Sequence, residues 1–127
     1  MFKRIDHVEI IPQDMGKTMD FYTGVLGFKV KQRIPARPGS PWKEVAYLTL
    51  NDSMIEVLAA ATPAPLSTAS EQVGYRMMAI EVEDMDKAIE YLKTKGVELS
   101  RPVMQLGKSK RAEIKDPNGL SIEIRQW

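Results

Sequence analysis

Apolar and polar residues alternate along several short stretches of this 127-residue chain, and two longer stretches carry apolar residues at helical spacing. Met15, Met19, Tyr22 and Leu26 recur at the helical period, and so do Met85, Ala88, Ile89 and Leu92. Asp14 and Asp84 precede these runs as N-cap candidates, because a carboxylate can accept from the free N–H groups of a first turn. Gly27 and Gly96 follow them as stops, since glycine tolerates a left-handed backbone. Alternating segments at 4–10 and 74–80 predict a strand before each helix. Three further strands are predicted after each one, near 28–33, 44–50 and 54–59, and near 97–101, 110–115 and 121–126. Asn51-Asp52-Ser53 and Asp116-Pro117-Asn118-Gly119 read as the turns closing the last hairpin of each set.

The two sets are a weak duplication. Asp14 and Asp84 stand 70 positions apart, as do His7 and Met77, and Ile55-Glu56-Val57 returns as Ile122-Glu123-Ile124. The prediction is an α+β chain of two tandem βαβββ modules within one domain, 1–127. Module one spans about 1–60, an Ala-, Thr-, Pro- and Ser-rich linker about 61–72, and module two about 73–127. Residues 35–41 form a second irregular loop.

Strand parity then sorts side chains into faces. Val8 and Ile10, Ala46 and Leu48, Ile55 and Val57, Ala112 and Ile114, and Ile122 and Ile124 belong beneath the helices. His7, Tyr47, Glu56, Glu113 and Glu123 belong on the opposite face. Two readings of that face stay open at this point. It is a solvated side of an antiparallel sheet, or the two sheets join and His7, Glu56 and Glu123 converge on a concave wall.

Composition narrows the chemistry. With no cysteine, the chain has no disulfide, thiol nucleophile or thiolate metal site. A net charge of +1 supplies no global field for nucleic acid or an anionic membrane. No apolar run approaches the ~20 residues of a membrane span, and acidic residues interrupt any apolar stretch behind Lys3 and Arg4. The default expectation is a cytoplasmic protein.

Ile5-Asp6-His7-Val8, Asp20-Phe21-Tyr22 with Val25-Leu26-Gly27-Phe28, and Asp116-Pro117-Asn118-Gly119 with Ile122-Glu123 together resemble the vicinal-oxygen-chelate superfamily, which includes glyoxalase I and the bleomycin-resistance proteins. The resemblance runs along nearly the whole chain and implies a curved, cup-like mixed sheet with helices outside. It also implies a divalent ion (Ni, Zn, Co or Mn) held by His7, Glu56 and Glu123, with Glu123 as the proton-transfer base. Met77 stands where the family usually has a second histidine, and its thioether is a poor partner for two carboxylates, so the metal is expected to bind weakly or to be absent. Met77 is instead read as pocket lining with Tyr47, Met54 and Tyr75.

The activity implied is that of a lyase or isomerase, lactoylglutathione lyase-like, moving a proton next to a carbonyl of a small oxygenated substrate. The alternative is a metal-free small-molecule binder of the bleomycin-resistance type. An extradiol dioxygenase needs two histidines, and this chain has one. Arg33, Arg37, Lys108, Lys110 and Arg111 read as solvated loop charge, against the alternative the resemblance implies, basic residues around the cup mouth that hold an anionic tail such as glutathione; Glu9, Glu81 and Glu113 add acidity to the site face. Exposed strand edges and the habit of relatives predict a homodimer that takes a small-molecule ligand.

Overall fold

A computed structural model describes residues 1–127. The chain divides into two compact units, Met1–Pro65 and Leu66–Trp127. The first contains strand β1 (Val8–Ile10), helix α1 (Met15–Asp20) continued by a π-helical turn over Phe21–Val25, and strands β2 (Lys29–Pro35), β3 (Trp42–Leu50) and β4 (Ser53–Ala60). The second contains β5 (Met78–Glu81), α2 (Met85–Thr94), β6 (Arg101–Leu106), β7 (Ser109–Lys115) and β8 (Ser121–Gln126). Each unit is thus a βαβββ module, as the duplicated pattern predicts, and each forms a four-stranded mixed sheet. The strand orders are β1-β4-β3-β2 and β5-β8-β7-β6. In both, the first strand returns to lie parallel to the last, and the other neighbours are antiparallel.

The parity reading holds along the central strands. Ala46, Leu48, Ile55 and Val57 are buried in the first unit, and Ala112, Ile114, Ile122 and Ile124 in the second. The helices start where the aspartates allow: Asp14 accepts from Lys17 N and Asp84 from Lys87 N. The Asp84 cap lowers the pKa of that carboxyl, chiefly through the Lys87 N–H bond. The N–H of Met85 is bound by Gln126 Oε1 at 2.7 Å, which pins the start of α2 to β8.

Four expectations shift. The first strand of each module is shorter than its alternating stretch. Residues 4–6 leave the sheet, with Arg4 Nη1 donating to Asp52 O at 3.1 Å, and Gly74 at φ 126° bends the chain ahead of β5. Val8, expected beneath a helix, is half exposed on the edge strand. Helix α1 gives way to a π turn, where Thr23 Oγ1 donates to Met19 O at 2.7 Å and competes for that carbonyl. The sixth strand runs over Arg101–Leu106 rather than 97–101. The residues after α2 are used in leaving it: Gly96, at φ 71°, donates to Lys93 O and Val97 donates to Leu92 O, a Schellman exit that delays the strand.

The two closing turns are held differently. Buried Asp116 accepts through Oδ1 from the N–H groups of Asn118 and Leu120, at 2.8 and 3.0 Å. Asp52, in the corresponding turn, is exposed and accepts from Arg4 only through its backbone carbonyl. Asp116→Ala is therefore expected to lower unfolding free energy by about 1–3 kcal/mol, and Asp52→Ala to change it by less than ~0.5 kcal/mol. Urea denaturation of the two variants checks the contrast.

Candidate metal centre

In the first unit the parallel β1–β4 register sets Glu9 opposite Glu56. His7, one step before β1, falls on the same face. Its Nε2 lies 3.0 Å from Glu56 Oε2 and 3.8 Å from Glu9 Oε1. One ligand atom from each of the three residues lies within 4.8 Å of the others. A first-row divalent ion takes such donors at about 2.0–2.2 Å, which sets neighbouring donors roughly 3–3.6 Å apart; the His7–Glu56 separation already matches this, and Glu9 has to draw in slightly. The donor set also fits chemically, because imidazole and carboxylates suit borderline to hard cations.

The other imidazole nitrogen is already engaged. Nδ1 lies 2.9 Å from Asp6 Oδ2. An Nδ1–H donated to that carboxylate fixes the tautomer and leaves the Nε2 lone pair facing Glu56 and Glu9. The Asp6 bond is the main cause of a raised His7 pKa, with Glu56 and Glu9 adding to it against desolvation. Asp6 is lowered in turn, chiefly by the same bond. Tyr47 faces Glu56 across β3–β4 and is hydrogen-bonded to it, which raises the phenol pKa and keeps its proton. The Tyr47 ring also meets the His7 ring edge-on, with centroids 6.2 Å apart. Glu56 is buried despite its charge. Met54, half-buried, shares its face two residues earlier on β4.

The remaining expected site residues lie in the second unit, in different surroundings. Glu123 is held by two guanidinium groups, Arg125 Nε at 2.6 Å and Arg111 Nη2 at 3.0 Å. Met77 is half-buried just before β5, and its sulfur accepts from Arg76 Nη1 at 3.5 Å. Tyr75 lies outside any strand with its side chain fully exposed, so it does not line a wall of its unit. The short β5, which begins only at Met78, leaves Tyr75 off the pleat.

Asp6 is the residue that parity hides. A strand through 4–10 would turn it away from His7, but β1 begins only at Val8 and the side chain folds back. Its signal in the sequence is only its adjacency to the single histidine. Arg111 is likewise on a sheet face within β7 rather than in a loop.

Comparison with known proteins agrees with this fold. Residues 4–124 match the model of the Glyoxalase/Bleomycin resistance protein/Dioxygenase superfamily, and the chain belongs to that superfamily. It is 32% identical over 127 residues to the uncharacterized protein YwkD of Bacillus subtilis (strain 168), covering 98% of this chain and 97% of that one. It is 30% identical over 130 residues to the lactoylglutathione lyase GLX1 of Arabidopsis thaliana, covering 98% of this chain and 44% of that one. The crystal structure of a glyoxalase family protein from Enterococcus faecalis superposes with a TM-score of 0.85 at 28% identity, covering 98% of both chains. No helix is long and apolar enough to cross a membrane.

His7 is the sole histidine, so its imidazole titrates alone in a proton NMR spectrum. In chelator-treated protein its midpoint is expected above 6.5, and Asp6→Asn is expected to lower it. The sign for stability follows: a raised folded pKa adds stability below the unfolded value, and that increment is lost as pH rises through the folded one. An unshifted midpoint in Asp6→Asn contradicts the Nδ1 assignment.

Proposed function

We propose that this protein is a metal-dependent lyase or isomerase that moves a proton next to a carbonyl of a small oxygenated substrate. The observation that carries the reading is the state of His7. Its Nδ1 is taken by Asp6, and its Nε2 is aimed at two carboxylates. In this reading His7 and Glu56 are ligands to nickel, zinc, cobalt or manganese, and Glu9 supplies a third oxygen within reach. The ion, when bound, polarises substrate oxygens and stabilises the negative charge that develops as a proton leaves.

The chain's own residues do the rest. Tyr47 donates to Glu56 and orients it. Glu123 is the proton-transfer carboxylate. Within the second unit its oxygens are held by Arg111 and Arg125. The similarity to a lactoylglutathione lyase supports the reaction class.

Calorimetric titration with the four ions tests the reading. One ion per chain is expected, with His7→Ala and Glu56→Gln each weakening binding at least tenfold, about 1.4 kcal/mol. No binding heat with any ion, or binding unchanged in His7→Ala, contradicts it and leaves a metal-free small-molecule binder.

A further inference from the structure

We propose that Asn118-Gly119, in the turn between β7 and β8, is a site of spontaneous deamidation that Asp116 holds closed, so that the modification proceeds only when this turn opens. The chemistry needs only the chain and water. The backbone nitrogen of Gly119 attacks the side-chain carbonyl carbon Cγ of Asn118. The new N–C bond closes a five-membered succinimide, the Cγ–Nδ2 bond breaks, and the amide leaves with the Gly119 proton as ammonia. Water then opens the ring at either carbonyl, giving aspartate or its isomer isoaspartate, in which the main chain runs through the former side chain.

A following glycine favours the first step, because no Cβ crowds the attacking nitrogen. The chain's two asparagines both lie in turns that close a module, but Asn51 precedes Asp52 and only Asn118 precedes a glycine. The fold also ties that glycine to its place. Gly119 stands at φ 85°, a left-handed backbone that strains a residue with a Cβ. What makes Asn118 reactive is therefore what the turn needs in order to form.

Asp116 supplies the restraint. It is almost fully buried and takes up both reacting groups. The Gly119 N–H donates to Asp116 O at 3.0 Å, and Asn118 Nδ2 donates to Asp116 Oδ2 at 3.1 Å. The proton of the attacking nitrogen and the leaving amide are thus each committed to an acceptor on one residue. Asp116 Oδ1 accepts from Asn118 N and Leu120 N, and Asp116 N donates to Leu120 O at 2.9 Å. Attack requires the first two bonds to break, and the others resist the backbone movement that breaks them, so the reaction follows local opening. The products do not fit back. Aspartate at 118 sets an oxygen against Asp116 Oδ2 where the amide offered an N–H, and the two negative charges repel. Isoaspartate adds a methylene to the main chain and spoils the spacing on which the Leu120 bonds depend.

The inference stands apart from the metal reading and is tested without an ion. The full chain is incubated in chelator-treated, mildly alkaline buffer below its melting temperature, with and without denaturing guanidinium chloride, and peptide mass spectrometry follows both asparagines. Asn118 is expected to deamidate at least tenfold faster in denaturant than in the folded chain, and Asn51 to lag behind it there. In the folded chain, Asp116→Ala is expected to speed the reaction at Asn118 at least tenfold. Asp84→Ala, which removes the α2 cap in the same unit, is expected to stay within about twofold of the wild type. Circular dichroism checks folding; if Asp116→Ala does not fold, Asp116→Asn is read in its place, since it keeps an oxygen for the two backbone donors and loses the acceptor facing Asn118 Nδ2. Equal Asn118 rates in folded and denatured wild type, a wild-type rate in the Asp116 variant, or equal acceleration by Asp84→Ala overturns the inference.

Discussion

The parallel pairing of the first strand of each module with its last is the constraint on which the rest depends. A parallel pair cannot be closed by a tight turn, so the chain must leave the sheet, form a helix and two further strands, and come back. That path puts residues near positions 7–9 beside residues near position 56 although they are far apart in sequence. Because the pleat alternates, the same pairing fixes which residues go under the helices and which face away. A slip of one residue would bury His7 and Glu56 in the apolar layer and expose Ile55 and Val57. The buried isoleucines, valines and alanines that forbid the slip are therefore also what holds the donor cluster together.

The two modules share this lattice and fill it with different chemistry. On the open face the first unit has an imidazole among carboxylates and a tyrosine, an arrangement that attracts a cation. The second has arginines interleaved with glutamates, so that Glu113 and Glu123 are each met by at least two guanidinium groups. Glu113 shows how tightly the second face is coupled. Burying a lone carboxylate is costly, and removing one partner of a buried pair commonly costs about 3–5 kcal/mol; here three arginines surround it, and no buried polar side-chain atom is left unpaired. The duplication thus conserves backbone geometry while allowing the face away from the core to diverge.

Much of the fold was legible in the sequence because its determinants are local and periodic. The Asp14 and Asp84 caps, the glycine exits, the alternation in β3, β4, β7 and β8, and the repeat itself are all read from neighbouring residues. Strand ends were harder. The Schellman exit at Gly96 consumes residues whose apolar character resembles a strand start, and the Thr23 back-bond widens a helix whose spacing looks regular. For the candidate site, parity separates His7 and Glu56 from the core. It says nothing of Asp6, whose position depends on where β1 begins, nor of Arg111, whose role depends on which acids lie across the strand. Non-local pairing decides those contacts, and one chain's residue order does not display it.

The central claim is that the His7 cluster receives a divalent ion through Nε2. The most direct measurement is the proton NMR spectrum of the single imidazole during titration with cobalt(II). The account predicts that the His7 ring resonances leave their normal positions and appear as strongly shifted paramagnetic signals, and that a stoichiometric excess of zinc restores diamagnetic positions. Ring resonances that stay in place through the titration contradict it.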